Sequence, residues 1–299
     1  MLDPIRLPHS WHLRGGPHQP SWSWDRHAAQ KKNFHGWEFD KTGACTSIAG
    51  TNVIPPNAFL RKWHSEEKNG AIYVWHDAEN REPTWRVDDI DDINCGKYYC
   101  AGRTWCHVNA HVQELPENGP DSAHFNVLHK SFVWKRIPWG IEHLWTGVWT
   151  PKEGIPHKSY IYLTQCLTLF GFRIPGTFVE AHINQVGPGI VMLHLTTPLG
   201  KLYTFEYVTP SKTTTQVVEH TMYCAPTIPR FVGKLLLWSF EGQFQRDAPI
   251  WETKKFLKKP LISKADGPIL AFRRWYSQFY SEASISFADA LAKESMMDW

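Results

Sequence analysis

The segment 159–209, SYIYLTQCLTLFGFRIPGTFVEAHINQVGPGIVMLHLTTPLGKLYTFEYVT, decides the fold class. It contains four stretches rich in β-branched and aromatic residues, separated by glycine and proline turns, at 159–172, 177–186, 189–197 and 202–209. Strands joined by such short connections pair in an antiparallel manner. We therefore expect one antiparallel sheet in this part of the chain.

The periodicity changes after the sheet. Between Pro229 and Lys258 the apolar residues take helical spacing, and Pro249 lacks a backbone donor, so the helix should kink or restart there. A second helix is predicted over Ile269–Tyr280. Upstream, 105–114 alternates as a strand, and 115–129 is typical of a loop followed by a helix. The order of these elements predicts an α+β protein.

The N-terminal part has a different character. Residues 1–33 show neither helical nor strand periodicity, whereas short β-like runs separated by turns follow from Phe34. A polar linker begins at Asp77. We accordingly divide the chain into an N-terminal segment 1–33, a small β-rich domain 34–84 and a larger domain 85–299.

Composition narrows the class of protein. The 299 residues are 42% hydrophobic and 20% charged, which is typical of a globular chain. A net charge of +3 without a long basic block argues against a dedicated nucleic-acid binder. The apolar runs are too short for a transmembrane helix, and the first residues do not have the pattern of a secretory signal. With six scattered cysteines, we expect reduced thiols.

The densest chemical signal is the segment 113–129, QELPENGPDSAHFNVLH. Two histidines and one carboxylate on one face are the ligands of non-haem Fe(II) sites that leave positions open for O₂. His124 and His129 lie about 140° apart on an ideal helix, so both face one metal only if the helix widens or ends there. Asp121 lies one turn before His124. The alternative is that these are ordinary surface or core histidines.

Three other patterns carry weaker signals. His35, in the sequence FHGW, is typical of a packing residue in a turn. Cys95, Cys100 and Cys106 do not have ferredoxin or zinc spacing, which favours core thiols on strands. The pair His64 and Glu66 is a rival start for an unrelated iron or zinc site, although no P-C-x2-C motif follows it.

Together these residues resemble a known family. The segment 102–129 resembles the catalytic core of Rieske-type non-haem iron oxygenases, specifically the cholesterol 7-desaturases and the bacterial 3-ketosteroid 9α-hydroxylases. Three C-terminal segments are similar to the end of that family: 247–255 (DAPIWETKK), 266–268 (DGP) and 273–280 (RRWYSQFY). The resemblance extends from about residue 34 to residue 282.

The resemblance implies a role for each site residue. His124 and His129 match the two iron-binding histidines, and Asp247 matches the carboxylate ligand. Asp121 matches the acid that connects the Rieske histidine of a neighbouring subunit to the iron, and Asn118 matches its neighbour in the same loop. The alternative for Asp247 is an N-cap of a helix that restarts at residue 248.

The resemblance also implies a fold and an activity. The fold would be an incomplete Rieske-like β domain followed by a helix-grip (START-like) catalytic domain, whose antiparallel sheet and long C-terminal helix enclose a sterol cavity. Candidate lining residues are Leu163, Leu167, Phe170, Val191, Leu193, Phe205, Phe240 and Phe244.

The implied reaction is the O₂- and NAD(P)H-dependent conversion of cholesterol to 7-dehydrocholesterol in steroid hormone synthesis. A separate reductase would supply electrons through a [2Fe–2S] cluster to a mononuclear Fe(II). The family further implies a homotrimer and membrane association; without an anchor the chain would be cytoplasmic.

The cluster region departs from the family pattern. A Rieske centre needs C-x-H and C-x2-H boxes, and none of the six cysteines has histidine at the second or third following position. His35 matches the one remaining cluster ligand, and Lys32 occupies a cysteine position. We therefore expect a truncated or replaced cluster domain and a chain that is inactive as written. The alternative is a sterol-binding pseudoenzyme without turnover.

Overall fold

The computed structural model describes residues 36–60, 62–130, 138–212, 214–254, 261, 263 and 266–284. Residues 1–33 and His35 lie outside the described residues. The strands are β1 Glu38–Phe39, β2 Cys45–Ser47, β3 Ser65–Lys68, β4 Ala71–Val74, β5 Tyr99–Val108, β6 Trp139–Thr146, β7 Thr150–Pro151, β8 Lys158–Leu169, β9 Phe172–Arg173, β10 Val179–Val186, β11 Ile190–Thr197, β12 Gly200–Pro210 and β13 Gln216–Cys224. The helices are α1 Asp91–Asn94, α2 Ser122–Leu128, α3 Arg230–Thr253 and α4 Gly267–Tyr276.

The main element is a nine-stranded antiparallel sheet. Its order is β5-β13-β12-β11-β10-β8-β6, and the short strands β7 and β9 both pair with β8. The expected antiparallel sheet is thus confirmed. Three of its strands, β6, β7 and β13, lie where the sequence suggested no element. The remaining strands form two small sheets, β1 with β2 and β3 with β4.

The inner face of this sheet is defined by register. Residues directly opposite each other on paired strands point to the same side. One such row crosses four strands and contains Gln185, Val191, Glu206 and His220. These side chains alternate along each strand with residues that point to the outer face. Helices α3 and α4 and the cavity described below all lie on the inner face.

Helix α3 continues for 24 residues and packs on β5 and β13. The expectation that it restarts at Pro249 is wrong. The proline removes one hydrogen bond only a turn before the helix ends, and Trp251 holds that last turn by packing against Phe244 and the core. The predicted order of sheet followed by helix is confirmed.

Helix α4 packs on the other part of the inner face. Its buried residues Phe272, Trp275 and Tyr276 form one core cluster with Trp149 and with residues of β8, β10 and β11. Because α3 and α4 cover different regions of the sheet, space for a cavity remains on that face.

The chain divides into two compact units. Among the described residues, one contains 67–71 and 77–284, and the other contains 36–66 and 72–76. The domain boundary between residues 84 and 85 stays a prediction. None of the described helices combines the length and apolar character needed to span a bilayer.

Candidate metal centre

Helix α2 ends where two histidines have to converge. Its last residue is Leu128, and His129 follows as C-cap with φ −99° and ψ 23°. This break in the helix brings the rings of His124 and His129 to a centroid separation of 5.0 Å, at 82° to each other. Both residues are buried. Of the two arrangements that the five-residue spacing allowed, a widened helix or a helix end, the structure has the helix end.

Asp247 reaches the same place from α3. It is buried, and its Oδ2 lies 3.2 Å from Nε2 of His129. Because α3 runs without interruption from Arg230 to Thr253, Asp247 lies inside the helix. The alternative interpretation of Asp247 as an N-cap is wrong.

Neighbouring groups fix the orientation of all three side chains. Nδ1 of His124 bonds to the backbone oxygen of Asp121, and Nδ1 of His129 lies 3.1 Å from Oε1 of Gln243. Both partners are acceptors, so each Nδ1 carries the proton and each Nε2 offers a lone pair. Asn118 donates from Nδ2 to Oδ2 of Asp247 at 2.9 Å.

The donor set fits Fe(II). One ligand atom from each of His124, His129 and Asp247 lies within 4.8 Å of the others, and the described residues contain no other such group of three. Nε2 of His124 and Oδ1 of Asp247 are buried, yet within the described part of the chain neither has a hydrogen-bond partner. Two imidazoles and one carboxylate that face a shared point are typical of non-haem iron sites. The rival residues His64 and Glu66 are not in this cluster.

A buried ion-pair network holds the loop before α2. Glu117 accepts hydrogen bonds from Nη2 and Nε of Arg273 at 2.6 and 2.8 Å, and from Nζ of Lys254 at 3.1 Å. Burial opposes ionisation, but the two cations hold the pKa of Glu117 below its ordinary value. Since Asn118 follows directly, the network positions the side chain that bonds to Asp247. The sequence motif at 273–280 contains Arg273, but the pairing of Arg273 with Glu117 could not be predicted from it.

Replacing Arg273 with methionine should destabilise the protein by about 2 kcal/mol, because the buried Glu117 loses its bidentate partner. Chemical denaturation with urea measures this change. Arg274→Met is the matched control, because Arg274 is exposed on the same helix and its loss should change stability by less than about 0.5 kcal/mol. Equal effects of the two variants would contradict the network.

The candidate metal ligands His124, His129 and Asp247 lie in the wall of an apolar cavity of about 580 Å³. Six predicted lining residues are in this wall: Leu163, Leu167, Val191, Leu193, Phe240 and Phe244. The prediction is wrong for Phe170, which is 74% exposed in a turn, and for Phe205. Phe205 is an odd-numbered residue of β12, so it points away from the face that carries Thr204 and Glu206.

A third imidazole, His143 on β6, also lines the cavity. Its ring stacks on Phe125 at a centroid distance of 5.3 Å. Burial, reinforced by nearby His129 and His124, lowers the pKa of His143 to about 4. This imidazole is therefore neutral at pH 7. His143 could not be found from the sequence pattern, because the segment that forms β6 shows no predicted strand.

The low pKa of His143 predicts acid sensitivity of the metal-free chain. In the unfolded chain the His143 imidazole gains a proton near pH 6.5, whereas in the folded chain it gains one only near pH 4. The free energy of unfolding should therefore fall as the pH is lowered from 6.5 towards 4. Melting curves in the presence of a chelator measure this. His143→Asn should flatten the dependence, exposed His107→Asn should leave it unchanged, and an identical slope in all three proteins would contradict the assignment.

The six cysteines differ in their exposure to solvent. All six are free thiols. Cys45, Cys166 and Cys224 are buried, while Cys95 and Cys100 are exposed, so the expectation of core thiols is wrong for those two. Their spacing along the chain does not match the C-x-H and C-x2-H boxes that supply the ligands of a Rieske [2Fe–2S] cluster.

Comparison with known proteins places this site in context. The 3-ketosteroid 9alpha-hydroxylase C-terminal domain family matches residues 74–280. The chain is 37% identical to cholesterol 7-desaturase of Bombyx mori over 274 residues, covering 89% of this chain and 58% of that protein. It is 38% identical to cholesterol 7-desaturase of Caenorhabditis elegans over 267 residues, covering 84% and 62%. The chain thus spans less than two thirds of these relatives.

The fold is also similar to that of solved oxygenases. The crystal structure of dicamba monooxygenase bound to dicamba matches with a TM-score of 0.59 and 15% identity, over 82% of this chain and 78% of that one. At this identity the likeness concerns the fold, which agrees with the helix-grip architecture expected from the sequence.

Proposed function

Because the chain belongs to the Rieske-type non-haem iron oxygenases, in the family of the cholesterol 7-desaturases and 3-ketosteroid 9α-hydroxylases, we propose that it carries the metal centre and substrate cavity of a cholesterol 7-desaturase. The reaction would be the O₂-dependent removal of hydrogen from a sterol. NAD(P)H would supply electrons through a separate reductase.

One observation carries this proposal. His124, His129 and Asp247, which can hold one metal, lie in the wall of a 580 Å³ cavity lined mainly by aliphatic and aromatic side chains. An apolar cavity of this volume with few polar groups suits a large apolar ligand such as a sterol. Part of that ligand would therefore lie beside a metal held by these three residues.

Each residue of the centre has a distinct proposed part. His124, His129 and Asp247 would hold Fe(II), which supplies the activation of O₂ when bound. Asn118 positions Asp247 by its hydrogen bond, and Gln243 positions His129. Asp121 orients His124 through its backbone oxygen. Its carboxylate would connect the metal centre to an electron donor on another subunit.

The chain itself should show no Rieske-type visible absorption or EPR signal. The cysteine spacing provides no C-x-H or C-x2-H box, so the sequence does not supply the ligands of a Rieske cluster. Anaerobic reconstitution with iron and sulfide measures this. A Rieske spectrum that survives single mutation of each cysteine would contradict the prediction.

The proposed function is tested with the full chain loaded with Fe(II). We expect saturable binding of radiolabelled cholesterol, and 7-dehydrocholesterol when a reductase, NADPH and a Rieske electron carrier are added under O₂. Binding without product would favour the sterol-binding alternative. Failure to bind cholesterol would overturn the proposal.

A further inference from the structure

A buried charged cluster lies beside the cavity, apart from the metal-type site. Glu206 on β12 lines the cavity, and His220 lies directly opposite it on β13. Glu241 on α3 completes the cluster from above the sheet. A charged group in an apolar wall is costly unless something pairs with it.

Most of this cluster is internally satisfied. Nδ1 of His220 lies 2.8 Å from Oε2 of Glu241, which also accepts from Oγ1 of Thr104 at 2.7 Å. Gln245 donates to the other oxygen of Glu241 at 2.7 Å. Burial would lower the pKa of His220, but Glu206 and Glu241 together raise it to about 9, so the imidazole is a cation at pH 7.

Glu206 is the member that faces the ligand space. Its Oε2 lies 3.6 Å from Nε2 of His220, which is longer than a good hydrogen bond. The carboxylate is thus held by charge while keeping acceptor capacity towards the cavity. Val191 lies opposite Glu206 on the other neighbouring strand, so the wall around it is apolar.

Thr204 supplies an independent sign of a ligand. It is 1% exposed and lines the same cavity, and its Oγ1 has no hydrogen-bond partner among the described residues. Its cross-strand neighbours are Leu193 and Met222, whose side chains contain no oxygen or nitrogen. A buried hydroxyl of this kind is stabilised when a bound molecule provides the partner.

We propose that Thr204 and Glu206 form the hydroxyl-recognition site of the cavity, and that they select a hydroxysterol over a ketosteroid. Two residues apart on one strand face, they are about 6.6 Å from each other, so both side chains reach one ligand oxygen. A hydroxyl donates to the Glu206 carboxylate and accepts from Oγ1 of Thr204. A ketone oxygen only accepts, and it meets a carboxylate that has no proton to give.

The position of this site relates it to the metal-type cluster. Glu241, which contacts His220 beside Glu206, is six residues from Asp247 on α3, or about 9 Å along the helix axis. A sterol anchored at Glu206 would therefore lie in the same cavity as His124, His129 and Asp247. This inference rests on the proposed function, because it assumes that the cavity holds a sterol.

The test compares cholesterol with cholest-4-en-3-one, which has a ketone in place of the hydroxyl. Binding to the full Fe(II)-loaded chain is measured by competition with radiolabelled cholesterol. We expect the wild-type chain to prefer cholesterol at least 10-fold, since a site built to hydrogen-bond a hydroxyl rejects an analogue without it. Glu206→Gln, whose amide can donate to a ketone, should reduce that preference at least 10-fold.

Two further variants separate recognition from folding. Thr204→Val keeps the shape of the side chain and should weaken cholesterol binding about 10-fold without changing Fe(II) binding. Thr197→Val is the matched control, because Thr197 also lines the cavity but its hydroxyl already donates to the backbone oxygen of Gly200 at 2.8 Å. This control should leave the preference for cholesterol unchanged.

The outcomes distinguish the two proposals. Equal binding of both steroids by the wild-type chain, or an unchanged preference in both Glu206→Gln and Thr204→Val, would overturn hydroxyl recognition while the sterol cavity stands. If the wild-type chain binds neither steroid, the proposed function fails and the inference fails with it.

Discussion

Replacing Asp247 by asparagine is expected to weaken Fe(II) binding by more than about 100-fold while leaving the fold intact. Loss of a group that only orients a metal ligand costs 10- to 100-fold in affinity, and loss of the anionic ligand itself should cost more. Asparagine has the same shape, and its oxygen can still accept the hydrogen bond from Asn118. The melting temperature of the metal-free variant should therefore change little.

Competition with a chromogenic chelator under anaerobic conditions measures this affinity. Asn118→Ala and Gln243→Ala should show the smaller loss of about 10- to 100-fold, because these residues orient Asp247 and His129. Asp266→Asn is the control, since Asp266 bonds to Ser263 away from the centre. Wild-type affinity in Asp247→Asn would contradict its role as a ligand.

Cholesterol should stabilise the chain strongly. A ligand that binds only the folded state at about 100 times its Kd adds roughly 2.7 kcal/mol to the free energy of unfolding. For a domain of this size that corresponds to a rise of roughly 5 to 10 °C in melting temperature. A fatty acid of similar hydrophobicity should produce a smaller shift, because its flexible chain loses more conformational entropy on binding than a rigid sterol does. Differential scanning fluorimetry with cyclodextrin-delivered lipid provides the measurement.

Leu193→Trp provides the control for this shift. Leu193 lines the cavity, and the larger indole should fill that part of it and abolish the effect of cholesterol. The same substitution at exposed Phe172, outside the cavity wall, should preserve the shift. Equal stabilisation by both lipids, or a full shift in Leu193→Trp, would remove the support for a sterol cavity.

The sequence was sufficient for the parts of the site that depend on local spacing. The interval between His124 and His129 required a helix that widens or ends there, and α2 ends at Leu128. Strands β8, β10, β11 and β12 of the central sheet were predicted because alternation and turn residues are local signals. Asp247 is more than a hundred residues from His129, so sequence spacing alone does not connect the two. It was identified through the family resemblance.

Long-range pairing explains what the sequence did not predict. Glu206 meets His220 only through the register of β12 and β13, and Glu241 joins them from a helix. His143 lies on β6, a strand that was not predicted. The error at Pro249 has a similar origin, because the packing of Trp251 outweighs the local loss of one helical hydrogen bond.

The most direct test combines the metal and the cavity in one spectrum. The full chain, loaded anaerobically with Fe(II) and exposed to nitric oxide, is examined by EPR with and without cholesterol. We predict one iron–nitrosyl centre per chain, a change in its signal when cholesterol is added, and loss of the signal in Asp247→Asn. A signal that is insensitive to cholesterol and unchanged in Asp247→Asn would contradict a metal centre formed by His124, His129 and Asp247 in the wall of a sterol cavity.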